Sequence, residues 1–336
     1  VIGEGEHGDV ALDVPLPLAE DAWQGVRRAA YCVYFAVVAA LLIRDGMPTD
    51  RGPLAVLIII GLALTSVGRG WRVTAQVFVD WLPFTLVLLL YDRTRNVADG
   101  LGIHLHEADV LGAEKWLFGG TEPSVWLQGH LYDAVQVHWY DALVTLIYTS
   151  HFVATPILAA FLWLHDRALW LRYISRVIAL AVAGLATYCV FPEAPPWLAA
   201  RDGLSEPIAR LSSRGWVWLH ADNLDHVIAN AQNDGANPIA AMPSLHLAFA
   251  VLVALMLGTT LRSRWRFLLA LYPLAMAFTL VYTGEHYVLD LIAGAAYAFA
   301  VHRALNRWDR WRAGRLENLP VAAPADSRSE AQLSAR

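Results

Sequence analysis

The stretch Asn237-Pro-Ile-Ala-Ala-Met-Pro-Ser-Leu-His-Leu-Ala-Phe-Ala-Val251 turns a polar loop into a long apolar helix and sets Ser244 and His246 at the turning point. Pro243 cannot continue a helix behind it but suits a first helical turn, so Met242-Pro-Ser-Leu-His246 reads as a helix start. Backbone N–H groups at such a start lack intrahelical partners and attract anions, phosphate among them. Further on, Tyr282-Thr-Gly-Glu-His-Tyr-Val-Leu-Asp290 opens another apolar helix, and i, i+4 spacing puts His286 and Asp290 on one face. Two histidines and a carboxylate therefore read as one site.

Outward from this stretch the chain is apolar. Hydrophobic residues make up 57% of the 336, with 14 Trp and only 16% charged residues, a balance outside the range of ordinary soluble enzymes. A soluble all-helical protein would show polar stripes along its helices, and Leu54 to Val67 has none. The expected fold is all-α, a polytopic integral membrane helical bundle of about eight spans. These fall at about 29–44, 53–68, 72–91, 141–164, 173–191, 244–261, 266–284 and 286–305. Cys32 and Cys189 both lie in apolar spans and indicate neither a disulfide framework nor a thiolate metal site.

The organisation expected is a flexible tail over residues 1–26, a three-span unit over 27–91, an interfacial segment over 92–140, a catalytic membrane core over 141–310 and a disordered tail over 311–336. Residues 92–140 are too polar to span but carry Trp116, Phe118, Trp126 and Trp139, which suit helices in the headgroup layer or an aromatic belt on a loop. With a cytoplasmic N-terminus, eight spans place 17 basic residues inside and 8 outside, so the positive-inside rule puts both termini in the cytoplasm. The loops at 92–140 and 192–243 and the turn holding His286 then share the extracytoplasmic face of the plasma membrane.

Phosphoryl groups are transferred through a phosphohistidine when three groups meet: an unprotonated imidazole, a carboxylate that holds its tautomer, and an acid for the leaving oxygen. His286, Asp290 and His246 match these roles, with the logic of hydrolase triads. Ser244 and the backbone N–H groups beside it suit phosphate oxygens. Merely structural histidines would be expected singly inside helices, not as two helix-start residues on one membrane face.

Pro243-Ser-Leu-His246 and Gly284-Glu-His-Tyr-Val-Leu-Asp290-Leu-Ile-Ala-Gly294 resemble the second and third signature motifs of the type 2 phosphatidic acid phosphatase superfamily. The Leu between Ser and His, Tyr148-Thr-Ser-His-Phe152 with Pro156, and Phe191-Pro-Glu-Ala-Pro-Pro-Trp197 are similar to the inositol phosphorylceramide synthase branch. The resemblance covers roughly residues 131–305. It implies a phosphatidic acid phosphatase type 2-like core with His286 as nucleophile, His246 as acid and Asp290 as the partner of His286.

The departures point to the substrate. The family's first motif, with its Lys and Arg-Pro, is missing, and Leu280 stands where the third motif has an Arg. A phosphomonoester dianion wants several cations and a diester monoanion fewer, so the pattern favours a diester donor. A phosphatidylinositol-like phospholipid passing its head group to a hydroxyl on a lipid or glycan of the cell envelope fits. Arg201, Arg210 or Arg214 could restore the charge and make the protein a lipid phosphate phosphatase instead. A non-catalytic transporter or scaffold of this fold is the alternative of another class, and a channel would need a line of polar positions where only Asp80 and His151 stand.

The expected substrate-binding residues are Ser244, Glu285, Tyr287, Arg201, Asn237, His151, Tyr148 and Asp80. Asp80 lies near the middle of the third span, where an ionisable group is costly, and pairing with another helix competes with a role in substrate binding. Asp133, Gln136, His138 and Asp141 crowd the outer end of the fourth span and suit sugar hydroxyls. His104 and His106 are too close in sequence for a familiar metal motif, and no H-E-x-x-H occurs. No metal, cofactor or nucleic acid partner is expected; the partners are the bilayer, the phospholipid donor and the hydroxyl acceptor.

Overall fold

The computed structural model describes residues 18–45, 51–100, 103–221, 239–261 and 264–317. Among them every regular element is helical, and the extended pairings are isolated bridges joining His106 to Glu193 and Glu193 to Ala240. In chain order the helices are α1 (Leu18–Asp45), α2 (Arg51–Ala63), α3 (Trp71–Gly100), α4 (Ala108–Leu117), α5 (Pro123–Leu131), α6 (Trp139–His165), α7 (Arg167–Val190), α8 (Pro196–Arg201), α9 (Gly215–Trp218), α10 (Leu245–Thr260), α11 (Leu271–Tyr282) and α12 (Val288–Glu317). A 3-10 turn extends α2 over Leu64–Ser66, and another, Arg264–Ala270, leads into α11.

Each expected span coincides with one of these helices. Four helical stretches, Trp139–His165, Arg167–Val190, Arg264–Tyr282 and Val288–Arg315, are long and apolar enough to cross a membrane, and Leu245–Thr260 is a shorter apolar helix. Phe35, Ile157, Phe161, Val182, Leu274 and Ile292 stand exposed on the outer faces. A surface this apolar, on helices that satisfy their own backbone hydrogen bonds, is that of an integral membrane protein. Two boundaries differ from expectation: α1 begins at Leu18 inside the expected tail, and α12 runs to Glu317, beyond the expected end of the core at 310.

Local chemistry starts and stops the helices. Asp166 caps α7 by accepting the Leu169 N–H at 2.9 Å, and Pro123 and Pro196 open α5 and α8, where a missing N–H costs nothing. The core packs α6, α7, α10, α11 and α12 around Leu180, Leu252, Met276 and Leu280, all fully buried. Gly294 lets α12 lie against the start of α10, since a Cβ there would sit 2.3 Å from the Ser244 carbonyl oxygen. At the far end of the bundle, buried Arg176 ties α7 to α12 through Asn306 Oδ1 at 2.6 Å and Asp309 Oδ2 at 2.7 Å.

The unit α1–α3 docks through α3. Trp81 is buried against Trp170 with ring centroids 6.4 Å apart, and Asp80 accepts the Trp163 N–H at 2.9 Å and pairs with both terminal nitrogens of Arg167. Asp80 is thus a tie between helices and not a member of the histidine site. Trp163 lies twelve residues along α6 from His151, roughly 18 Å at the helical rise.

Candidate active site

The site forms where the starts of α10 and α12 meet the loops after α7 and α8. The turn between α11 and α12 is tight: Gly284 has φ of +73°, and a Cβ on it would lie 2.6 Å from the Ile208 side chain. The Leu280 carbonyl accepts both the Glu285 and His286 N–H groups, so the residue standing where the third motif has Arg is a buried anchor of the turn.

His286 points its two ring nitrogens in opposite directions. Nδ1 lies 3.2 Å from Asp290 Oδ2, and Nε2 lies 3.4 Å from His246 Nδ1. An ionised Asp290 can only accept, which assigns the imidazole proton to Nδ1 and leaves the Nε2 lone pair facing His246. Asp290 Oδ2 also accepts the Tyr287 N–H at 2.9 Å, and the Asp290 carbonyl accepts the Ser244 N–H at 3.0 Å. These bonds lock the two helix starts together.

Ser244 is fully buried and caps α10 by accepting the Leu247 N–H at 3.4 Å. Two N–H groups that the sequence offered to a phosphate are therefore already engaged. Tyr148 stacks on His246 with centroids 5.2 Å apart, and the His151 ring lies 4.1 Å from it. Behind them a cavity of about 110 Å³, bounded by Ile58, Phe84, His151, Leu185 and Phe249, runs into the apolar bundle. One wall of this cavity comes from α2 and α3.

The arginine held in the site is Arg210, not Arg201. Arg210 donates to Glu285 Oε1 at 2.8 Å and Oε2 at 3.1 Å, lies over the Trp197 ring and contacts Tyr148, the ring stacked on His246. Burial disfavours its charge, but the Glu285 carboxylate and Tyr148 hold its pKa above the ordinary value. Ser212 donates a further bond to Glu285 at 2.6 Å, so Glu285 is the buried anchor of this arginine. Arg201 is exposed and pairs with Asp202.

Tyr287 packs on Val110 and Leu111 of α4. Asn237 lies outside the described residues. Asp133 bonds the Val135 and Gln136 N–H groups and serves local structure, whereas Asp141 accepts the His138 N–H at 2.9 Å and ties α6 to α11 by accepting the Tyr282 hydroxyl at 2.9 Å. The histidines expected to form no metal motif do come together: ligand atoms of His104, His106 and Asp109 lie within 4.8 Å of one another on an exposed face.

Two carboxylates of the site escaped the sequence reading. Glu114 of α4 accepts the Val288 N–H at 2.9 Å and the Leu289 N–H at 3.3 Å, capping the helix that carries Asp290. No local signal marks Glu114, because its partners lie far along the chain. Glu193, fully buried, faces Asp290. A charged residue inside Phe191-Pro-Glu-Ala-Pro-Pro-Trp197, at the very end of a span, was the signal for it.

Two histidines with a carboxylate behind one, an arginine bonded to Glu285 beside them and an apolar cavity against His151 make up the candidate site. The chain belongs to the PAP2 superfamily, whose sequence profile matches residues 108–304. It is similar to the phosphoinositol dihydroceramide synthase of Bacteroides thetaiotaomicron, with 29% identity over 284 residues that cover 75% of this chain and 90% of that protein. No solved structure matches the chain. The protein is a lipid phosphoryl-transferring enzyme of the membrane.

Proposed function

We propose that the protein moves a phosphoinositol-like head group from a phospholipid to a hydroxyl on a lipid or glycan, through a phosphohistidine at His286. The carrying observation is the opposed orientation of the His286 nitrogens, one held by Asp290 and the other facing His246. The substrate phosphate enters between the two imidazoles. His286 Nε2 attacks phosphorus, the bond to the diacylglycerol oxygen breaks, and His246 gives that oxygen its proton. The imidazolium that forms is stabilised by Asp290. His246, now neutral, takes the proton of the acceptor hydroxyl, whose oxygen attacks phosphorus and releases His286.

Charge supports a diester. Among the described residues Arg210 is the arginine bonded to Glu285 in the site, and that carboxylate largely balances its charge. A monoanion suits this balance and a phosphomonoester dianion does not. The similarity to a phosphoinositol dihydroceramide synthase supports a phosphoinositol head group. The arginine distribution supports a site facing the extracytoplasmic side of the plasma membrane with both termini inside.

The test is intact-lipid mass spectrometry on purified protein in liposomes, offered phosphatidylinositol and phosphatidic acid separately with an envelope lipid extract, beside His286→Ala. Diacylglycerol release together with head-group phosphate on a new lipid, in wild type only, is the expected result. Free phosphate from phosphatidic acid alone would make the protein a phosphatase, and equal behaviour of His286→Ala would make it no enzyme of this kind.

A further inference from the structure

Glu193 is fully buried in the loop after α7, and backbone pairing fixes it on both sides. Its own N–H donates to the Ile239 carbonyl at 2.9 Å, and the His106 N–H donates to the Pro192 carbonyl at 3.0 Å. Its carboxyl faces Asp290, with Glu114 and the Tyr287 hydroxyl nearby. Apart from this mutual contact, neither Glu193 oxygen nor Asp290 Oδ1 has a hydrogen-bond partner among the described residues.

Two ionised carboxylates facing each other in a buried site, with no basic side chain among the described residues bonded to either Glu193 oxygen or to Asp290 Oδ1, repel strongly, so the pair holds a proton. The rest of the geometry decides where it sits. Asp290 already accepts from His286 and from the Tyr287 N–H, bonds that favour its ionised form, whereas Glu193 has no such donor. Burial first, then the neighbouring Asp290 and Glu114 carboxylates, push the Glu193 carboxyl far above the ordinary range.

We propose that Glu193 is a neutral carboxylic acid that positions Asp290, donating its O–H to Asp290 Oδ1 so that Oδ2 stays aimed at His286 Nδ1. Glu193 touches no reacting atom and acts through Asp290. Its neutrality leaves Asp290 as the charged member of the pair, the carboxylate that balances the imidazolium of the intermediate. The catalytic consequence rests on the phosphohistidine reading above, and the protonation itself does not.

Infrared difference spectra of wild type against Glu193→Gln, in detergent at neutral to mildly alkaline pH, read the proton directly. The carbonyl stretch of a buried protonated acid, shifted in heavy water, is expected in wild type and lost in the variant; a carboxylate difference in its place overturns the proposal. In turnover, Glu193→Gln keeps a donor for Asp290 Oδ1 and retains kcat within about threefold, while Glu193→Ala lowers kcat about ten- to hundredfold at little-changed KM, as loss of an outer partner of a histidine pair does. An Ala variant as active as wild type, or a Gln variant as poor as Ala, overturns it as well. A wild type with the acid band but no lipid turnover would count against the reaction and leave the protonation standing.

Discussion

Glu114 and Val288 are 174 residues apart in the chain, yet the Glu114 carboxylate accepts the Val288 N–H at 2.9 Å. Helix α4 thereby ends, in hydrogen-bonding terms, on the helix that carries Asp290. Glu114→Ala strands the Val288 and Leu289 N–H groups and is expected to cost about 1–3 kcal/mol. Glu114→Gln, which keeps one acceptor, should lose less. Melting in detergent measures both, and an unchanged Ala variant would remove the cap from the account.

The same residue predicts a pH dependence. Burial, against the pull of the two N–H donors, holds the Glu114 carboxyl above its ordinary pKa. The native state therefore binds this proton more tightly than the unfolded chain, and the stability it contributes is full below the ordinary carboxylate range and declines as pH rises through the folded value. Melting temperature against pH should fall less steeply in Glu114→Gln than in wild type, and parallel curves would refute this.

Asp290→Asn keeps the size of the side chain but no longer fixes the His286 proton on Nδ1. A loss of about 10⁴ in kcat is expected, the scale set by the same change behind a catalytic histidine in serine proteases. Stopped-time lipid assays, with circular dichroism to verify folding, would detect it, and a loss under tenfold would mean that Asp290 only braces the two helices.

Glu285→Gln tests the charge argument for a diester. With the Glu285 charge gone, Arg210 carries an uncompensated positive charge. The preference for phosphatidic acid over phosphatidylinositol, as a ratio of kcat/KM values, should then rise by about tenfold, or ~1.4 kcal/mol of differential interaction. A ratio that does not move would show that Arg210 does not read phosphate charge.

Asp80 separates a structural from a substrate-binding role. Asp80→Ala removes the bonds to Trp163 and Arg167 and is expected to lower stability by about 1–3 kcal/mol. Below the melting transition, kcat/KM should stay within about twofold of wild type, since the pair lies roughly 18 Å along α6 from His151. A selective rise in KM at unchanged stability would return Asp80 to the site.

The helical bundle was legible because apolar runs leave few options in a bilayer, and each expected span falls on a helix. The pairing of His286 with Asp290 was legible for a local reason, one helical turn of spacing. Contacts set by distant segments were not. Asp80 read as either a tie to another helix or a substrate contact because an isolated charge inside a span is costly, and its Arg167 partner shows how that cost is met. Arg201 and Arg210 look alike in a loop sequence, and burial against Glu285 distinguishes them.

By itself the sequence determined a membrane-embedded all-α chain and singled out the three groups of the proposed phosphoryl transfer, since hydropathy and helical periodicity are local properties. The tertiary structure decided which arginine is bonded to Glu285 beside the histidines, which carboxylate caps the helix of Asp290 and that Glu193 meets Asp290. Burial and hydrogen-bond partnership belong to pairs of residues, and for these pairs the partners are brought together only when the helices pack.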